Sequence, residues 1–153
     1  MKLSRNDKKI HEAVQTAKRE LVNSIAKHFG VPVPVKLVAP ESIYLGAQGS
    51  YEGHEIKISR HLPLFWQLLI LEHEIGHYLT LAGNSSTRGK IYHGFGVHKF
   101  STSEQRAWEW VEENPIAPGS FIDGAVRRYI RDLRQIGKTY GHMDDVMRLG
   151  WWY

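Results

Sequence analysis

The stretch Leu64-Phe65-Trp66-Gln67-Leu68-Leu69-Ile70-Leu71-Glu72-His73-Glu74-Ile75-Gly76-His77-Tyr78-Leu79-Thr80-Leu81 decides how the chain folds. Pro63 stands where a first helical position falls and Gly83 where a helix stops, so the spacing predicts one helix between them. Leu64, Leu68, Leu71, Ile75, Leu79 and Ala82 make one apolar stripe, while Trp66, Ile70, His73 and His77 make another. A helix that is apolar on several faces belongs inside a fold. Within it, His73-Glu74-Ile75-Gly76-His77 has the form His-Glu-x-x-His. Residues four apart lie one turn above each other, so both imidazoles can converge on one ion while Glu74 is held beside the water that ion carries. Zinc brings the pKa of such a water to roughly 7. Glu74 would then take the proton and deliver it to a leaving amine.

Nine histidines make a chance match less rare, and the chain's own residue frequencies put one such pentapeptide at about 4%. The bland alternative is a pair of structural histidines satisfied by hydrogen bonds. Placement favours the metal, because two imidazoles on a buried helix are costly without strong partners.

A catalytic zinc takes three protein ligands and keeps one position open. The chain has no cysteine, so the donors must be imidazole and carboxylate. A glycine three residues after the second histidine and a histidine six after it would complete one familiar pattern, but Thr80 and Gly83 stand there. Glu104 is the best remaining donor, since it opens a helix on which Ala107, Trp108 and Val111 follow at same-face spacing. Ser101-Thr102-Ser103-Glu104 reads equally as a capping box, although Thr102 with Gln105 supplies the same cap and leaves Glu104 free. Glu109, Glu112 and Glu113 fit a solvated acidic face. His93 and His98 are weaker ligand candidates, and either of them or Tyr92 is a candidate to stabilise an oxyanion.

Outward from this helix, Ile10, Val14, Ala17, Leu21, Ile25 and Phe29 recur at helical steps, and Gly30 is placed to end that helix. Val35–Val38 reads as a strand after two X-Pro pairs. Residues 43–47 and 51–59 read as two more, turned by Gln48-Gly49-Ser50. Residues 83–100 read as a long polar loop of the kind that is functional or mobile. Helix signals return at 103–113, 120–136 and 144–149, with Ser120 and Asp123 as a capping box. The expectation is a single α+β unit: a helix over 1–30, a small antiparallel sheet over 31–62, metal-site helices over 63–114 and further helices over 119–153.

With 153 residues, 42% hydrophobic, the chain has material for one core and not two. No apolar run reaches signal-peptide or membrane length, and the absence of cysteine fits a cytoplasmic location. A net charge of +4 and pI near 9.3 permit an acidic partner. Arg127, Arg131, Arg134 and Lys138 form a basic stripe that could meet nucleic acid, although a solvated face explains it more simply. Trp151, Trp152 and Tyr153 read as core, partner contact or tail.

Taken together, His73-Glu74-Ile75-Gly76-His77-Tyr78, preceded by Ile58-Ser59 and Leu62-Pro63, and Glu104-x-x-Ala107-Trp108-x-x-Val111 ending near Pro118 resemble the ImmA/IrrE family of metallopeptidases. The likeness spans about residues 30 to 150. It implies a zincin-like active-site helix with zinc bound by His73, His77 and Glu104, and Glu74 as the catalytic carboxylate. It also implies site-specific cleavage of a helix-turn-helix transcriptional repressor, the work of an antirepressor of phages and mobile elements. The family often has asparagine or arginine where this chain has Trp108.

Overall fold

A computed structural model describes residues 3–81, 97–114, 120–141 and 143–152. Helix α1, Arg5–His28, begins where the Ser4 hydroxyl accepts from the Asp7 amide at 3.0 Å. It ends in a Schellman turn: Gly30 takes φ +77°, its amide reaches the Lys27 carbonyl, and the Val31 amide reaches that of Ala26. The stripe Ile10, Val14, Ala17, Leu21 and Ile25 is buried as its spacing predicts.

The chain then forms β1 (Val35–Val38), β2 (Gly49–Tyr51) and β3 (Ile56–Ser59), in the spatial order β1-β3-β2. The α+β class is as expected, but the sheet is mixed: β2 pairs antiparallel with β3 while β1 pairs with β3 in parallel, Val35 opposite Ile56. Asn23 of α1 covers the start of β1. Its Nδ2 donates to the Val35 carbonyl and its Oδ1 accepts from the Val35 amide, both at 2.9 Å.

The expected strand over 43–47 is instead a pair of 3-10 turns, Pro40–Ser42 and Tyr44–Gly46. Leu45 and Gly46 both have positive φ, which an extended strand does not allow. The expected strand over 51–59 is likewise interrupted, and the hairpin turns at Gly53, φ +87°, rather than at residues 48–50. Closure comes from the Glu52 amide donating to the Glu55 carbonyl.

Helix α2 spans Leu64–Leu81, as predicted. Residues 71–77 are buried, as are Leu64 and Gln67, whereas Phe65 and Trp66 near its start and Leu79 near its end are exposed, so the helix is inside the fold on one side at its ends and on all sides at its middle. Helix α3, Val97–Glu113, starts inside the stretch expected to be loop. Helices α4, Ser120–Tyr140, and α5, Met143–Trp152, pack on α1 through Ala125, Tyr129, Leu133, Val146 and Leu149. Ser120 is already helical, so it is not the cap residue expected there. Among the described residues no helix is long and apolar enough to cross a membrane.

Candidate metal centre

Glycine sets the geometry of the centre. A Cβ on Gly76 would lie 2.7 Å from the Ala107 carbonyl oxygen and 3.1 Å from its Cα, so α2 and α3 cross at a separation only a glycine permits. His77 is the next residue along α2, and Glu104 lies one turn before Ala107 on α3. The crossing thus brings the carboxylate onto the histidines. Glu104 sits in the third turn of α3, far from the helix start, which removes the capping-box alternative for it and for Thr102 with Gln105.

Three donors converge there. His73 Nε2 lies 3.0 Å from one Glu104 oxygen, His77 Nε2 lies 2.8 Å from the other, and the two nitrogens are 3.0 Å apart. These three residues could hold a metal ion. Two imidazole nitrogens that face one carboxylate and also each other cannot be satisfied by protons alone, because the N···N contact needs one ring to accept where both are asked to donate. A cation satisfies all three together. Zinc at about 2.0–2.1 Å from each donor in tetrahedral geometry sets donors about 3.3 Å apart, so the observed cluster needs to open by only a few tenths of an ångström.

Glu74 is buried and lies beside this cluster. Burial first, and then the negative charge of Glu104, push its carboxyl up to about 8, against a hydrogen bond from the Tyr51 backbone. Glu104 is driven the other way, well below the usual carboxylate range, by hydrogen bonds from His73 and His77. Positive charge held among these donors would return Glu74 toward its ionised form.

Several residues contribute in ways that motif spacing does not reveal. Trp108 stacks on His73 with ring centroids 4.3 Å apart and is partly exposed, so it roofs one face of the imidazole. Gly49 of β2 packs against α2 so closely that a Cβ there would collide with Ile70 Cγ2 and sit 3.6 Å from Glu74 Cγ. Strand β2 is therefore pressed against the helix at Glu74. His73 Nδ1 is buried without a hydrogen-bond partner among the described residues. Gly76 and Ala107 stand inside the two sequence motifs, but a glycine and a small residue carry no local signal that two helices cross at them.

A second group of donors, Glu52, His54 and Glu55, also comes together. It is already neutralised: Lys36 Nζ lies 2.7 Å from Glu55, and Lys57 Nζ 3.1 Å from Glu52. Glu109, Glu112 and Glu113 point outward or to the margin of α3, as expected. Tyr92, His93 and Tyr153 lie outside the described residues, and for His98, Trp151 and Trp152 only helical backbone is described. No protein-family model, curated protein or solved structure matches the chain.

Proposed function

We propose that the protein is a zinc-dependent endopeptidase. The observation that carries this is the convergence of His73 Nε2, His77 Nε2 and the Glu104 carboxylate within 3.0 Å, with the Glu74 carboxyl buried beside them. Zinc held by these donors would supply a Lewis acid that acidifies a water and polarises a carbonyl. With the ion in place, the buried Glu74 carboxylate would accept a proton from the attacking water and return it to the leaving nitrogen. Glu104 and the two histidines stay fixed, because α2 and α3 lock at Gly76 and Ala107. Trp108 keeps one face of His73 away from water.

Among the described residues strand β2 is the edge of the sheet next to Glu74, and an extended peptide laid along a sheet edge gains main-chain hydrogen bonds without any sequence requirement. The substrate we propose is a helix-turn-helix repressor in the cytoplasm, a reading that rests on the resemblance to the ImmA/IrrE metallopeptidases carried by the two motifs. The test is incubation of the chain and of Glu74→Gln, each with zinc, with repressors encoded beside it. Cleavage at one site by the native chain and none by the variant is expected; equal cleavage by both would remove Glu74 from the chemistry.

A further inference from the structure

Helix α1 carries a second row beside its core stripe. His11, Gln15 and Lys18 follow at four- and three-residue steps, one position round from Ile10, Val14 and Ala17, so they line the margin of the buried face. Lys18 is fully buried, and its Nζ has no hydrogen-bond partner among the described residues. An ammonium taken out of water without a counter-charge is among the least favourable groups a fold can hold.

On this side of α1 a cleft of about 260 Å³ opens toward Leu37 of β1 and Arg60 at the end of β3. Arg19 and Arg60 line it together with His11 and Gln15, and neither guanidinium has an ion-pair or hydrogen-bond partner among the described residues. Burial holds the His11 imidazole below its ordinary pKa against a hydrogen bond to the Leu149 backbone, and the positive charges of Lys18 and Arg60 add to the depression. Those cations are therefore within electrostatic reach of one ring. Glu12 is the one carboxylate in the lining, and it is exposed and pairs with neither arginine.

We propose that this cleft binds a compact phosphate group, gripped by Arg19 and Arg60 and balanced from behind by the buried Lys18. Guanidinium forks match phosphate oxygens in pairs, which a lone carboxylate ligand would use less fully. The lining carries two cations against one carboxylate, and the buried Lys18 on the same helix, outside the lining, brings the local excess to two positive charges, the charge of a phosphate dianion. None of these residues belongs to the metal centre, so the site stands whether or not the chain is a peptidase.

The test uses the full chain, titrated calorimetrically with inorganic phosphate and, separately, with adenosine monophosphate, and melted in each against sodium chloride of equal ionic strength. Saturable binding of one phosphate per chain is expected, with a melting temperature above that in chloride. Arg19→Gln with Arg60→Gln, both on the surface, should weaken binding at least tenfold. Lys18→Met should melt higher than the native chain without phosphate and gain less from its addition. Tighter binding of the nucleotide identifies a phosphate ester as the ligand, and equal affinity the free ion. Absence of saturable binding, or unchanged affinity in the double arginine variant, overturns the proposal.

Discussion

At the scale of single residues, two buried ionisable groups carry opposite lessons. Glu74 is buried where the proposed chemistry needs it. Replacing it with glutamine preserves shape and hydrogen bonding but cannot take a proton, so Glu74→Gln should lower peptide hydrolysis by about 10²–10⁴-fold while one zinc per chain is retained. A single-turnover assay beside metal analysis checks both halves. Lys18 is buried without a partner, and burial pulls its pKa from 10.5 to about 8. Between those values the unfolded chain keeps a proton that the folded chain has lost, so stability rises with pH across the window, by on the order of 3 kcal/mol. Above pH 10 the buried Tyr129 phenol, held above its ordinary range, works against this rise. Lys18→Met leaves Tyr129 in place. Urea unfolding should show that variant more stable than the native chain by roughly 1–3 kcal/mol at pH 7, with the gap closing by pH 10. A gap independent of pH would mean that Lys18 is not buried as an ammonium. His73, Glu74 and His77 were legible because their chemistry is written in local spacing. Lys18 was not, because a lysine on a long amphipathic helix reads as solvated until the packing around that helix is known.

Among the elements, the crossing of α2 and α3 matters most. Gly76→Val places two methyl groups where the Ala107 backbone already stands, so the helices must part. The expected result is a loss of about 1–3 kcal/mol in stability together with at least tenfold weaker zinc binding, read by unfolding and by metal titration. Glu104 was recognised as a donor from its helix, yet its rival role as a cap fell only when α3 proved to start at Val97. Sheet pairing was the least legible part. The residues over 43–47 have a strand-like composition, but positive φ at Leu45 and Gly46 turns them into a bend, and parallel pairing of β1 with β3 follows from the path of the chain rather than from any alternation of residues. Asn23 illustrates the same limit, since a helix residue completes a strand edge. Asn23→Ala should cost about 1–3 kcal/mol by stripping both partners from Val35, measurable by denaturant unfolding with the metal centre unaffected.

For the whole molecule, α1 is the hub. It packs on β1 and on helices α4 and α5, and its apolar stripe was plain in the sequence because a 3.6-residue period survives any tertiary arrangement. The basic stripe of Arg127, Arg131, Arg134 and Lys138 is exposed along α4. Charge reversal at all four should therefore leave the unfolding midpoint nearly unchanged and zinc binding intact, with any loss appearing only in affinity for an acidic partner. Three side chains from two helices, His73, His77 and Glu104, are proposed to share one metal ion. Calorimetric titration of zinc into the metal-free chain, run beside Glu104→Ala, decides whether they do. One zinc per native chain and at least tenfold weaker binding by the variant are expected. Equal affinity in the two, or no zinc bound by the native chain, would rule the shared site out.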